Sequence, residues 1–577
     1  MNTNNPFIKF LSSITILCFV AFLASCGGGG GDKDDDSTTA PVTAASAALG
    51  FDIKTFRFTW TDVSDATFYR LMENPDGVSG FTQVSGDIAP GAQSFDHTVA
   101  LYLRAGASYF LQSCNSVGCT DGSTISITDT LATAIGYFKS SNTASGDEFG
   151  IDVALSADGT TLAVGARIES NSTGAVYVFA KNSGSWVKQA DITATAAATG
   201  DAFGTAVSLN ADGSLLAVGA PHQGGTGSVY TFTRIGSAWS QQDTFKADTP
   251  GSNDVFGDAV SLSDDGTTLA VGARSEASLT TGVGSTDDGF VAITLVGAAY
   301  IFTESGGIWT QQEYIKAGNA DGGDLFGASV SLSSNGDTLV VGAIGEDSNT
   351  LGIGTVATNT VNDFGAVYVF IRSGTVWAQQ EYIKASDSDV GDQFGNSISL
   401  GDDGNTLAVG AVFEGSMATG IGGDDTNNDL GGAGAVYVFT RSGTSWLQQA
   451  YVKASNTGRD HLFGKSVSLS ADGNVLAVGA VGEQSSAVGV NGDEVTGALN
   501  SAGASYLYVR NAGVWSQQAY LKASNTGQGD LFGSSIELSG DGNTLAVGAS
   551  LEDSNATGVG GDATNNDENG SGAVYLY

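Results

Sequence analysis

The dipeptide Phe-Gly recurs at long, regular intervals, at 149–150, 203–204, 256–257, 326–327, 394–395, 463–464 and 532–533. Successive Phe residues are 54, 53, 70, 68, 69 and 69 positions apart, and self-similarity at such a period marks a repeat architecture. Each Phe-Gly leads into a short alternating stretch such as 466–470. Asp-Gly follows at 158, 212, 265, 403, 472 and 541, and Asn-Gly at 335. Such pairs suit a type I′ hairpin, with both residues at positive φ. Next come a nearly continuous apolar stretch such as 407–411 and a third strand such as 434–439. A fourth, marked by Trp186, Trp239, Trp309, Trp377, Trp446 or Trp515, ends like 448–454. Four antiparallel strands, seven times over, predict an all-β chain with a seven-bladed β-propeller. The last repeat has no fourth strand after 572–577. Segment 132–140 has the fourth-strand pattern without the Trp, and is expected to complete that blade and close the ring, removing exposed sheet edges.

Composition narrows the function classes. The 61 acidic and 22 basic residues leave a net charge of −39, so no basic face for nucleic acid is evident. A 41% hydrophobic content argues against a disordered polymer, and only 6 Pro against a collagen.

Phe-Gly paired with Val-Gly-Ala, and Gly-Ala-Pro-His at 219–222, resembles the FG-GAP repeats of the integrin α-subunit propeller over about 445 residues. Integrin-type repeats often hold calcium in the first hairpin, through an Asp-x-Asp/Asn-x-Asp-Gly loop. Here that hairpin reads Ser-Ala-Asp-Gly-Thr-Thr at 156–161, without the preceding carboxylates, so this site does not carry over. Ahead of the repeats, 47–130 resembles a fibronectin type III domain, an immunoglobulin-like β-sandwich. Trp60, Tyr69 and Tyr109 stand at its core Trp, strand-C Tyr and corner Tyr. Residues 1–25 read as a secretory signal, and Leu23-Ala24-Ser25-Cys26 resembles the lipobox of bacterial lipoproteins. The resemblance implies Cys26 as the lipid anchor, and Gly27 after it implies the outer membrane. Residues 26–46 are a Gly- and Asp-rich tether. The propeller is assigned to 131–577.

Cys114 and Cys119 remain as an even pair in an oxidising compartment, able to close a tight hairpin. Six repeats place Glu three residues after the Val-Gly-Ala alanine: Glu169, Glu276, Glu346, Glu414, Glu483 and Glu552. Six place Asp two before Phe: Asp147, Asp201, Asp254, Asp324, Asp392 and Asp530. Both sets are expected to ring the channel mouth and raise a negative field. The alternatives are a repeat-to-repeat contact for Glu and backbone capping for Asp. Five repeats carry long connections between strands two and three, at 274–296, 344–364, 412–433, 481–502 and 550–571; the first two have only 167–173 and 221–226. Asp424, Asp425, Asp429, Asp562 and Asp567 in these loops are the candidate metal ligands, with calcium as the cation. No catalytic set stands out: the three His residues, His97, His222 and His461, are scattered. The expectation is a monomeric, membrane-anchored, non-catalytic recognition or adhesion protein with a protein or glycan ligand. The alternative is an enzyme of polysaccharide or phosphoester turnover using channel-mouth carboxylates.

Overall fold

In the computed structural model, residues 39–41, 43–285, 295–354 and 364–577 are described. The signal segment, Cys26 and most of the tether lie outside them, as do 286–294 and 355–363 within two of the long loops. Seven antiparallel sheets follow one another along the repeats, the first five with their strands in simple neighbour order. The fifth is typical: Phe394–Leu400, Thr406–Ala411, Ala435–Ser442 and Ser445–Val452. The second strand is buried along its whole length, as an apolar strand between two neighbours must be. The Phe of each Phe-Gly packs edge-on against the Tyr of its own third strand, with ring centroids 5.3–5.6 Å apart. Burying such a ring contributes roughly 1.5–3 kcal/mol.

The glycines of the motif are set by contacts between sheets. The Gly of each Val-Gly-Ala lies against the carbonyl of the Phe-Gly glycine in the next sheet: Gly165 against Gly204, Gly410 against Gly464, and finally Gly548 against Gly150. A Cβ at any of these positions would fall closer than 3.0 Å to that oxygen.

The hairpin between the first two strands departs from the expected type I′. Only its glycine has positive φ, as at Gly159 (64°) and Gly404 (67°); the preceding Asp or Asn does not. A Gly159 N–H to Ser156 O bond closes the turn (2.8 Å). Ser156 Oγ accepts from the Thr161 N–H (2.9 Å) and Asp158 Oδ1 from the Thr160 N–H (2.9 Å). The side chains thus supply bonds that a two-residue loop would not need. These turns also join one another. Backbone N–H to O bonds run from Ala157 to Ala211, Asp264, Ser334, Asp402, Ala471, Gly540 and back to Ala157, all 2.9–3.1 Å. This is a closed hydrogen-bonded collar at one end of the ring.

The seam is closed by Gly136–Phe138, which pairs with Ala573–Leu576 in the register Val574 to Phe138, Tyr575 to Tyr137 and Leu576 to Gly136. The segment expected to complete the last sheet therefore does so.

The N-terminal part has two small sheets. One holds Ala48–Asp52, Thr55–Thr59 and Ser94–Thr98; the other is built on Phe68–Asn74 and Ser108–Cys114. Trp60 meets Tyr69 and Phe56 meets Tyr109 across the core, with ring centroids 5.5 and 5.7 Å apart. The Tyr109 hydroxyl donates to the buried Glu73 carboxylate (2.8 Å). Cys114 and Cys119 are disulfide-bonded opposite one another in a hairpin. One apolar cluster runs from these sheets into the last two of the ring, joining Leu101, Leu131 and Ile135 to Leu521 and Tyr577. At the same junction Lys54 Nζ donates to Asn543 O and Thr544 Oγ1, both 2.6 Å. Burial pulls its pKa down to about 7.

If glycine contact between sheets governs the packing, Gly410→Ala should lose roughly 3 kcal/mol or more. Gly184→Ala, at φ 91° but with nothing within 4 Å of the new Cβ, should lose only about 1 kcal/mol to backbone strain. Urea denaturation of the two variants checks this; equal losses would sink the argument.

Candidate binding face and central channel

The connections between strands two and three, and those leading back to Phe-Gly, share one end of the ring. The five long connections do more than project. Each folds down beside a fourth strand and pairs briefly with its edge: Val283 with Ile315, Ile353 with Ile383, Ile421 with Val452, Gly489–Val490 with 521–522, and Val559 with Phe138. Beneath each cover lies a buried ion pair. Lys316 meets Glu276 (2.5 Å), Lys384 Glu346 (2.9 Å), Lys453 Glu414 (2.6 Å), Lys522 Glu483 (2.8 Å) and Lys139 Glu552 (2.7 Å). Each of these side chains is at most 3% exposed. Neighbouring sheets contribute too: Asn319, Asn456 and Asn525 donate to Glu346, Glu483 and Glu552 (2.9–3.0 Å).

The expected mouth ring of Glu is therefore not what the structure builds. Glu276, Glu346, Glu414, Glu483 and Glu552 neutralise lysines inside the sheets. Glu169 is buried as well, accepting from Asn142 (2.9 Å) and the Tyr177 hydroxyl (2.6 Å). Burial lowers the pKa of Lys139, Lys384, Lys453 and Lys522, and the paired carboxylate opposes that shift. The two repeats with short connections lack the set: Thr193 stands where the others have Lys, and Gln223 where they have Glu.

The Asp series is also inward-turned rather than a mouth ring. Asp147, Asp201, Asp254, Asp324, Asp392 and Asp530 are buried, and each accepts the N–H of the residue three before it at 2.6–2.8 Å. Burial pushes Asp147 up to about 6, and Asp324, Asp392 and Asp530 up to about 7.

The loop carboxylates proposed as metal ligands do not converge. Asp424 and Asp562 each accept from the Thr two residues on, Asp425 from Ser386, and Asp567 from Asn555; Asp429 offers its carbonyl to Arg459. Among the described residues no three His, Cys, Asp or Glu side chains are grouped to hold a metal ion.

The first strands of all seven sheets line a central cavity of about 440 Å³. The collar bounds its far end. A belt of hydroxyls runs round the wall. Ser208, Ser261, Ser331, Ser399 and Ser468 each accept, through Oγ, a backbone N–H from the next sheet at 2.9–3.2 Å. The belt breaks in the two sheets beside the seam, where Ala154 and Glu537 replace serine. Nearby Asp152 accepts the Val207 N–H instead (2.8 Å). Burial pushes Asp152 up to about 7. Burial, with Asp152 as neighbour, pushes Glu537 up to about 8. Asp152 and Glu537 escaped the sequence reading, which followed what the repeats share. Only a column-by-column alignment of the seven first strands isolates a Glu where five others have Ser.

Four-stranded antiparallel sheets set round a polar channel define an all-β protein of propeller type. Five stretches of the chain, 137–179, 186–232, 309–370, 377–439 and 515–577, match the family model of the FG-GAP repeat. No curated protein matches the chain. Similar solved structures include the periplasmic gluconolactonase of Pseudomonas aeruginosa, 12% identical at a TM-score of 0.40, covering 80% of this chain and 97% of that one. Hydrazine synthase of Kuenenia stuttgartiensis is 13% identical at a TM-score of 0.42, covering 70% and 92%. The β-propeller domain of the Trilobed protease of Pyrococcus furiosus is 10% identical at a TM-score of 0.33, covering 82% and 98%. At these values none bears on activity or ligand.

The buried Asp series has a consequence for stability. The folded pKa values of Asp324, Asp392 and Asp530 lie above the ordinary carboxyl value of 3.8. The contribution of these three is thus full below the ordinary range and is lost as pH rises through about 7. Each group sets a slope of at most about 1.4 kcal/mol per pH unit. Urea denaturation should show lower stability at pH 8 than at pH 5, and Asp392→Asn should reduce the difference. An unchanged difference in the variant would remove Asp392 from the account.

Proposed function

We propose that the protein is a lipid-anchored, non-catalytic recognition module of the bacterial outer membrane. Cys26 carries the lipid and 26–46 form the tether. An immunoglobulin-like, fibronectin type III-like sandwich at 47–130 supports a seven-bladed FG-GAP propeller at 131–577. The face bearing the long loops meets a protein or glycan ligand, and the protein works as a monomer. The observation that carries this reading is apolar exposure on that face. Phe413 and Met417 are 43% and 54% exposed. Phe413 N–H bonds Asp392 O, two residues along the chain from Val390, itself 64% exposed. Clustered exposed apolar side chains mark interaction sites more often than isolated ones do. Covering the Lys–Glu pairs accounts for the length of the loops but not for these side chains.

A second reading has one observation in its favour. Asp152 and Glu537 break the repeat together inside a cavity, which suits an enzyme of glycosidic or phosphoester turnover.

The full chain, screened on glycan and extracellular-protein arrays with and without calcium, is expected to bind a ligand, and Phe413→Glu with Met417→Glu should abolish that binding while the melting temperature holds. Retained binding in this variant would show that the face is wrongly assigned. Turnover of polysaccharide or phosphoester substrates, lost in Asp152→Asn with Glu537→Gln, would favour the enzyme. Separately, palmitate labelling should disappear in Cys26→Ser; labelling that persists would refute the anchor.

A further inference from the structure

The cations of this acidic chain are unevenly used. In the ring, five lysines neutralise buried Glu residues. Arg234, Arg372, Arg441 and Arg510 lie over the rings of Trp239, Trp377, Trp446 and Trp515, 5.2–5.7 Å from the centroids. Both sets serve the repeat. Arg167, Arg274 and Lys465 serve neither. Arg167 and Arg274 directly follow the second strands Thr161–Ala166 and Thr268–Ala273, and Lys465 directly follows a Phe-Gly. All three therefore sit at the loop end of the channel, although they come from the first, third and sixth repeats.

Their partners leave donors over. Arg167 uses Nε on Glu148 (2.7 Å), and Arg274 uses Nε on Asp258 (3.0 Å). Among the described residues no partner is found for their terminal guanidinium nitrogens or for the Lys465 ammonium. Lys465 lines the cavity. Its side chain is exposed to the channel; the protein crowded round it, then Arg167 and Arg274, disfavour its charge, so both arginines lie within electrostatic reach of Lys465. The scaffold does not require this arrangement. In the other repeats the residue after Phe-Gly is Ile151, Thr205, Asp258, Ala328, Asn396 or Ser534. Gathered like charges are unfavourable unless an opposite charge joins them, and arginine forks with a lysine are the groups that take carboxylate or phosphate oxygens. The cavity beyond, about 440 Å³, is of the size that encloses a small molecule. The collar bounds its far end, and the three cations stand at the loop side.

We propose that the loop-side mouth of the channel is a binding site for a small oxyanion, one carboxylate or phosphate group held between Lys465, Arg167 and Arg274. The body of the ligand extends toward the serine belt, where hydroxyl groups find Ser, Asp152 and Glu537. The site does not depend on the outer loop face and would stand if that face bound nothing.

Isothermal titration of the full chain in detergent at low ionic strength, with citrate, inorganic phosphate and glycerol, tests this. Citrate or phosphate should bind once per chain, and glycerol should not. Binding of citrate alone assigns a carboxylate ligand, and of phosphate alone a phosphate ligand. Lys465→Ser installs the residue that the seventh repeat has there; it should weaken binding at least about tenfold. Lys188→Ser, on an exposed outer strand, should bind as the parent does. Should the serine variant fail to fold, Lys465→Gln is read in the same way. The proposal is overturned if neither anion binds, or if a folded Lys465 variant binds as tightly as the parent.

Discussion

Backbone meeting backbone between adjacent sheets is the contact on which the rest of this molecule depends. Glycine in each second strand admits the carbonyl of the next Phe-Gly, as at Gly479 and Gly533. That approach sets how near the sheets stand, and so how wide the channel is. It also explains why the motif pairs Phe with Gly. The ring of Phe fills its own sheet's interior, and the glycine after it, at positive φ, hands its carbonyl to the neighbour. The collar of seven backbone hydrogen bonds repeats the principle at the far end of the channel. Neither contact involves a variable side chain, which leaves the first-strand side chains at liberty to differ inside the channel.

The acidity of the chain divides into two populations. Part of it is buried in Glu–Lys pairs and in Asp residues that cap backbone amides. Breaking a buried pair by removing one partner typically costs about 3–5 kcal/mol. Each long loop is therefore tied to the ion pair it covers. The rest lies in exposed turns, where Asp424 and Asp562 organise their own loops by hydrogen bonds to Thr426 and Thr564. Against that background the channel mouth gathers three cations in a chain of net charge −39, Arg167 and Arg274 paired with Glu148 and Asp258 and Lys465 on the channel wall.

Much of the fold was legible because the repeat prints the same physics seven times. The Phe-Gly period, the apolar second strand and the Trp-led fourth strand fix a four-stranded unit, and the orphan third strand at 572–577 pointed to 132–140 as its partner. The site was less legible. A Glu three residues beyond Val-Gly-Ala looks the same whether it faces a channel or a lysine 38–40 positions later. The clue lay in covariation within the chain: long loop, Glu and Lys occur together in five repeats, and Gln223 and Thr193 mark the two that lack the set. The turn type is not legible from Asp-Gly, which is compatible with several turns; Ser156 and its counterparts decide among them. The channel charges carry no repeat signal, since Asp152, Lys465 and Glu537 are defined by departing from the shared pattern.

The strand that closes the ring has a kinetic meaning. Gly136–Phe138 and Ala573–Leu576 are hydrogen-bonded neighbours, yet roughly 435 residues of chain separate them. At translation rates of about 5–20 residues per second, the earlier strand waits on the order of 20–90 s for its partner to be made. Throughout that interval Tyr137 and Phe138, both buried once the ring is shut, have nothing to pair with. Contacts this distant in sequence also form slowly. The newly made N-terminal sheets, which share a core with Leu131 and Ile135, are positioned to hold that strand near the surface on which the last sheet will be laid. Assembly of this protein is thus governed by how long an unfinished ring can be kept from meeting another of its kind.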